Sequence, residues 1–301
     1  MRKWIAPSDA LGSIANRLGR VLAAPTGAYE PFIVEAEVVG WITPMRVQRL
    51  AQWRDVFHRS ERGIELTPAL DTAQARTAAL AEVAQALSAE DALTAWRDER
   101  YAVAAGVAGP ALFEIERAAA RYFGVHTFAA HANGLVGDPG NWRMWLARRS
   151  AKKAIDPGLL DNLVGGGIAA GSDAAITLVK EAWEEAGIPE ELARRTQSAG
   201  SVDICRDQPD GLQRETIFVH DLWLPADFVP ANQDGEAVEH RLASPDALLR
   251  VLAGDDMTAD ASLVIVDFLL RNGHVAPGDP ACTALDALRH PPASALQPRQ
   301  L

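Results

Sequence analysis

The chain has 301 residues, 48% apolar and 23% charged, an ordinary balance for a globular protein that excludes wholesale disorder. Forty acids against 29 bases leave a formal charge of −11, which argues against a non-specific nucleic-acid binder, because such a protein needs Lys and Arg to displace counterions. The length suggests two domains, and the two cysteines, Cys205 and Cys282, are too few for a disulfide scaffold or a Cys-based zinc site.

Both cysteines read as buried thiols of a reducing compartment. Residues 1–10 lack the apolar run of a signal peptide. The most apolar stretch, 263–270, is broken by Asp267 and falls far short of the ~20 residues of a membrane helix. A cytoplasmic protein without membrane contact is the expectation.

In chain order, residues 32–39 are β-rich and predict a strand. Pro44 opens a helix reaching about Trp53. Asp71 followed by Gln74 resembles a capping box, and it starts a helix with an apolar stripe of Leu80, Val83, Ala84 and Leu87. Trp96-Arg97-Asp98-Glu99 leads into a strand at 101–104. Gly109-Pro110 opens another helix, with Phe113, Ile115, Ala118, Ala119 and Tyr122 as its core residues and Gly124 as its stop. A small mixed α+β accessory domain is expected over 1–123, followed by a second domain over 124–301. Trp41, Trp53 and Trp96 read first as core residues and second as an aromatic wall for a ring.

In the second domain, strands at 125–132 and 141–149 flank a Gly-Asp-Pro-Gly turn at 137–140. The glycine-rich segment 162–171 precedes a long helix that Ser172 or Asp173 can cap and Gly187 can end. Further strands are expected at 201–205, 215–224 and 236–242. Pro245-Asp246 opens a short helix, and Asp260 opens the last, apolar helix, which stops at Asn272-Gly273. The Pro-rich tail from about His290 is expected to fray.

The chemistry concentrates after the glycines. Glu181 and Glu185 lie one helical turn apart, and Glu184 flanks them. Three carboxylates on one face repel one another unless a cation sits between them, and carboxylate oxygens suit Mg²⁺ or Mn²⁺. Ile176, Val179, Ala182, Trp183 and Ala186 read as the opposite, core face. Gly165-Gly166-Gly167 lets the backbone approach a ligand or lend a carbonyl to a metal. Taken singly, the acids could be a solvated helix face and the glycines a plain turn. The two in succession are rarer than either.

This segment resembles the Nudix box, G-x5-E-x7-R-E-U-x-E-E-x-G-U with U aliphatic. It reads Gly166, five residues, Ser172, seven residues, Lys180-Glu181-Ala182-Trp183-Glu184-Glu185-Ala186-Gly187-Ile188, so the box spans 166–188. Ser172 replaces the first Glu and Lys180 the Arg. The resemblance implies a C-terminal α/β/α sandwich with a mixed sheet. It also implies hydrolysis of a diphosphate linked to another moiety, with Mg²⁺ or Mn²⁺ as cofactor. Carried over, Glu181, Glu185 and the Gly166 carbonyl would hold the metal, with Glu184 assisting. Lys180 keeps the positive charge but loses the guanidinium fork. Glu239 is the candidate general base, Glu236 the second, and His240 reads as structural. Arg148, Arg149 and Lys153, in the basic run before the glycines, are candidates for holding the substrate diphosphate, with a solvated turn as the alternative.

Gly40-Trp41-Ile42, Trp96-Arg97-Asp98-Glu99, Ala147-Arg148-Arg149-Ser150, residues 157–162 and Asp227-Phe228-Val229-Pro230 resemble a Nudix subfamily with an extra N-terminal domain. That subfamily is often labelled thiamine pyrophosphokinase-related, and some members are similar to diphosphatases acting on thiamine diphosphate and its oxy and oxo analogues. No Walker-type phosphate loop supports a kinase. The readings left open are such a diphosphatase, a Nudix hydrolase of ADP-ribose, nucleotide sugars or dinucleotides, and a sensor without turnover. The expected partner is a small diphosphate, with a homodimer as a candidate assembly. The accessory domain is expected to cover the site and help select substrate.

Overall fold

Helix α1 (Ser8–Val21) opens the chain and buries Leu11, Ile14 and Leu18 on one face. Sequence patterning assigns no element here. Its apolar stripe needs an apolar partner, and finds it on Trp142, Met144, Leu248 and Phe268 rather than on the residues that follow it. The first helix of the expected accessory domain therefore packs on the C-terminal unit. The structure, a computed structural model, describes residues 3–105 and 109–291. From residue 292 onward, the tail expected to fray lies outside them.

The N-terminal unit follows with β1 (Glu30–Val34), β2 (Glu37–Ile42), α2 (Pro44–Leu50), β3 (Phe57–Ser60), β4 (Gly63–Leu66) and α3 (Ala73–Ala89). Its four-stranded sheet has the order β2-β1-β4-β3. The single strand expected at 32–39 is a hairpin, because Glu35 and Ala36 take φ of 51° and 71° and turn the chain within two residues. Helix α3 is capped by Thr72, whose Oγ1 accepts from the Ala75 N–H at 3.1 Å, one residue after the expected Asp71. Its stripe, Leu80, Val83, Ala84 and Leu87, is buried as expected.

Next comes an antiparallel pair, β5 (Arg100–Ala104) and β6 (Ala111–Glu116). The helix expected from Gly109-Pro110 is therefore wrong in its first half. Phe113 and Ile115 are buried at a period of two, and the Glu114 N–H donates to Thr77 Oγ1 rather than within a helix. A 3-10 turn (Arg117–Ala119) and α4 (Ala120–Phe123) follow, and Gly124, at φ 56°, ends the helix as expected. Trp41 is buried, and Trp53 and Trp96 pack against the N-terminal core.

The second unit comprises β7 (His126–Asp138), β8 (Asn141–Arg149), β9 (Leu160–Asn162), β10 (Val164–Gly167), α5 (Ala174–Ala186), α6 (Glu190–Ala193), β11 (Gln197–Gln208), β12 (Gly211–Leu224), β13 (Ala237–Ala243), α7 (Pro245–Ala253), α8 (Ala259–Arg271) and α9 (Pro280–Arg289). Helix α8 is not the last, since Asp279 caps α9. The strands form a mixed seven-stranded sheet, β11-β12-β7-β8-β13, with β10 on β7 and β9 on β8. The central pair, β7 with β12, is parallel. One face packs on α5 through Ala130, Ala132, Leu178 and Ala182, and the other on α8 through Ala129, Ile217, Leu263 and Val264. This is an α/β/α sandwich preceded by a small mixed N-terminal unit.

Candidate active site

The glycine strand and the acidic helix meet edge to edge. Asp173, not Ser172, caps α5, its Oδ1 accepting from the Ile176 N–H at 2.8 Å, and Gly187 ends it at φ 62°. Strand β10 runs antiparallel to β7, with Gly165, Gly166 and Gly167 opposite His131, Ala130 and Ala129. A β-carbon on Gly166 would stand 2.6 Å from Glu181 Cδ, so only glycine leaves room for that carboxylate. The Gly165 N–H donates to Glu185 Oε2 at 2.9 Å.

These contacts roll α5 away from the expected orientation. Thr177, Leu178, Ala182 and Ala186 are buried, whereas Ile176 and Trp183, expected in the core, are 58% and 53% exposed. Glu181 and Glu185 are drawn inward under the glycine strand. Burial raises the pKa of both. Glu181 and Asp161 push Glu185 up further, against the Gly165 N–H and Lys153. Glu184 sits on the outer shoulder. Lys180 Nζ donates to Glu184 Oε2 at 2.8 Å and to Glu181 Oε1 at 3.0 Å. Burial opposes the Lys180 ammonium, but these two bonds outweigh it and raise its pKa.

Among the described residues no three His, Cys, Asp or Glu side chains gather tightly enough to hold an ion as they stand. The donor set nonetheless suits a hard divalent cation. Two crowded carboxylates face a strand whose glycine leaves a cradle that a β-carbon would fill, and an ammonium already bridges Glu181 to Glu184.

The basic run separates by strand alternation. Arg149 and Lys153 line a cleft between the N-terminal unit and the sheet, together with Gly165, Gly166 and Gly167. Arg149 pairs with Asp161 at 2.8 Å and binds the carbonyls of Ile155 and Asp156. Lys153 pairs with Glu236, and burial, with Arg149 next, pulls its ammonium down to about 8. Arg148, one residue from Arg149, is outside the cleft lining. It holds Asp256 at 2.9 Å, Glu239 at 3.0 Å and the Gly158 carbonyl at 2.7 Å. Glu239 is thus an exposed partner of Arg148, so the structure does not bring these two candidates to the glycines. Glu236, the second candidate base, stands nearer, paired with both Arg97 and Lys153. His240 Nε2 bonds the Glu185 carbonyl at 3.0 Å, a structural tie between β13 and α5.

Several lining residues escape sequence reasoning. Arg97, Tyr101, Arg117 and Arg121 come from the N-terminal unit, and Thr127, Asp156, Gln213, Glu215 and Asp260 from the sheet side. The Ala170 N–H donates to the Arg100 carbonyl at 2.7 Å, tying β5 to the loop before α5. The only signal for this group was Trp96-Arg97-Asp98-Glu99, which marked a resemblance but no direction. None of Trp41, Trp53 and Trp96 is in the lining.

A family model described as a NUDIX domain matches residues 128–263, and one described as a domain of unknown function (DUF4743) matches 14–127. Nudix hydrolase 24, chloroplastic, of Arabidopsis thaliana is 39% identical over 257 residues, covering 84% of this chain and 70% of that protein. Nudix hydrolase 20, chloroplastic, of the same plant is 36% identical over 261 residues, covering 83% and 70%. The solved structure of DR0079 from Deinococcus radiodurans is 23% identical, with a TM-score of 0.43, and covers 56% of this chain and 98% of that one. No helix among the described residues is long and apolar enough to cross a membrane. From the box in register at 166–188, and from relatives above 35% identity across most of the chain, the protein belongs to the Nudix hydrolase family.

Proposed function

We propose that the protein is a divalent-cation-dependent diphosphatase, using Mg²⁺ or Mn²⁺, that cleaves a small organic diphosphate to a monophosphate and inorganic phosphate. One observation carries this reading. Glu181 and Glu185 lie under the glycine strand, whose Gly165, Gly166 and Gly167 line one cleft with Arg97, Arg117, Arg149 and Lys153. Carboxylates for a cation beside cations for phosphate oxygens are what a diphosphate requires.

Glu181 and Glu185 would hold the cation, with the Gly166 carbonyl and Glu184 adjoining. When bound, the metal supplies charge neutralisation and a water of lowered pKa. The chain's own residues do the rest. The Gly165 N–H orients Glu185, Lys180 holds Glu181 and Glu184 together, and Arg149 and Lys153 face the phosphate oxygens. Glu236 is our choice of base over Glu239, because it adjoins the cleft through Lys153.

Acceptor side chains in the cleft support thiamine diphosphate, or its oxy and oxo analogues, as the substrate class. Asp156, Glu215 and Asp260 line it with Thr127 and Gln213. These acceptors suit an amino-bearing ring, although Asp260 is paired with Arg206 and the cleft is also lined by Arg121 and Arg214. Cytoplasmic placement remains part of the proposal, and cell fractionation tests it.

The test is phosphate release with Mg²⁺ from thiamine diphosphate, oxythiamine diphosphate, ADP-ribose and NADH. Turnover of the first two above the others is expected. Turnover of ADP-ribose or NADH alone would move the substrate class to nucleotides, and no turnover of a broad diphosphate panel would leave a binding protein.

A further inference from the structure

Strand β7 alternates, so Thr127, Ala129 and His131 turn to one face, and all three line the cleft. The His131 ring lies against Gly165, where a β-carbon would stand 3.0 Å from its Cε1 and 3.1 Å from both ring nitrogens. Gly165 is also the residue whose N–H holds Glu185. The imidazole therefore adjoins the acidic pair across β10.

Behind the ring runs a chain of hydrogen bonds that ends on a carboxylate. Arg271 pairs with Asp221 at 3.2 Å. Asp221 Oδ1 accepts from Asn133 Nδ2 at 3.0 Å, and Asn133 Oδ1 accepts from Asn162 Nδ2 at 3.2 Å. Asn162 Oδ1 then faces His131 Nδ1 at 2.9 Å. Both asparagines are buried. A carboxylate only accepts, so each amide gives its N–H toward Asp221 and its oxygen toward the next residue. The last oxygen needs a donor, so Nδ1 of His131 carries the hydrogen. Reversing any link would set two buried acceptors face to face.

With Nδ1 protonated, a neutral imidazole keeps its lone pair on Nε2. That atom has no hydrogen-bond partner among the described residues and is not sealed from solvent. Charges of both signs line the cleft and pair with each other, Asp161 with Arg149 and Asp210 with Arg121. What His131 adds is a directed lone pair, not a charge.

We propose that His131, held in its Nδ1–H form by Asp221 through Asn133 and Asn162, presents Nε2 as the acceptor for an N–H donor on the organic ring of the substrate. The assignment rests on the diphosphatase reading and adds a specificity residue to it, on the same wall as Thr127 and Glu215. Asn162 is the positioning residue that fixes the tautomer.

Two readouts test it, on wild type, His131→Phe, His131→Gln and Asn162→Ala, each with a melting curve. Long-range ¹H–¹⁵N spectra of ¹⁵N-histidine-labelled protein at about pH 8, where ordinary histidine is neutral, report which ring nitrogen carries the hydrogen. The signal missing from His131→Gln assigns His131. Calorimetry with Mg²⁺ then gives the affinity of two probes. One is the methylene-bridged analogue of thiamine diphosphate, which is not hydrolysed, and the other is methylenediphosphonate, which has no ring. Wild type should show Nδ1–H, and Asn162→Ala should shift hydrogen to Nε2. His131→Phe should bind the analogue about tenfold more weakly and methylenediphosphonate within about twofold of wild type. His131→Gln, whose amide oxygen can still accept, should lie between.

Hydrogen on Nε2 in wild type would overturn the proposal. So would folded His131→Phe that binds the analogue like wild type, equal weakening of both probes, or wild type that does not bind the analogue. If His131→Phe does not fold, Asn162→Ala decides, and unchanged tautomer and affinity there overturn it equally. Wild type that binds the analogue through His131 but releases no phosphate from the panel would instead remove the diphosphatase reading and leave the acceptor standing.

Discussion

The hydroxyl of Tyr101, on β5 of the N-terminal unit, occupies the space that a β-carbon on Gly167 would need. A glycine of the box strand is thus shaped by a residue of the other unit. Tyr101 is almost wholly buried there, and burial raises its phenol pKa, with Arg117 opposing.

Gly167→Ala should cost about 1–3 kcal/mol, the usual price of overpacking. Tyr101→Phe removes the obstructing oxygen, so the cost of Gly167→Ala should shrink in that background. Urea melts of the two single variants and the double variant measure the coupling. Strictly additive effects would mean that the two units do not meet here.

Glu185→Gln should lower turnover at least a hundredfold without unfolding the protein, since it removes a buried charge repelled by Glu181 and Asp161. Wild type should also melt higher with Mg²⁺, by the linkage of ligand to folding, and Glu185→Gln should not. Equal shifts in both proteins would place the cation elsewhere.

Arg148→Ala and Arg149→Ala should part company. Arg149 lines the cleft, and its loss should raise KM. Arg148 ties Asp256, Glu239 and the Gly158 carbonyl together outside it. Arg148→Ala should cost roughly 1–2 kcal/mol of stability and leave KM unchanged. Steady-state kinetics with melting curves checks both, and a raised KM for Arg148→Ala would return it to the substrate.

Stability should fall as pH drops from about 7 toward 4. Burial, with Arg214 next, lowers the pKa of His126 from the ordinary 6.5 to about 4. Thr216 Oγ1 donates to Asp203 Oδ1 at 2.5 Å, which leaves its lone pair to accept from His126 Nε2 at 3.0 Å. The unfolded chain therefore takes up a proton first, so stability is full above 6.5 and is lost as pH falls through this window. Burial lowers His220, His240 and His274 as well. The urea midpoint of His126→Gln should depend less on pH between 7 and 5 than that of wild type. Parallel curves would contradict the assignment.

Ile14→Ala should destabilise by about 2–4 kcal/mol, because α1 fills the core against Trp142 and Phe268. A cost below about 1 kcal/mol would mean that α1 is peripheral.

Much of this was legible in the chain alone. The spacing of Glu181, Glu184 and Glu185 after Gly166 specified a helix and a glycine approach, because local periodicity and backbone freedom are properties of neighbouring residues, and the resemblance of this segment to the Nudix box implied the family. The stripe of α3 and the stops at Gly124 and Gly187 were readable for the same reason. Which face of α5 turns inward was not. Apolar periodicity favoured Ile176 and Trp183, yet the Gly165 N–H and the space at Gly166 drew Glu181 and Glu185 under the strand. Likewise, Phe113 and Ile115 fit a helix or a strand until β5 supplied the partner. Arg148 and Arg149 are equal as sequence, and only strand alternation and the Asp256 contact separate them. Tyr101, Arg117 and Asp260 reach the cleft from distant parts of the chain. Their convergence depends on how two units pack, and no local pattern encodes that.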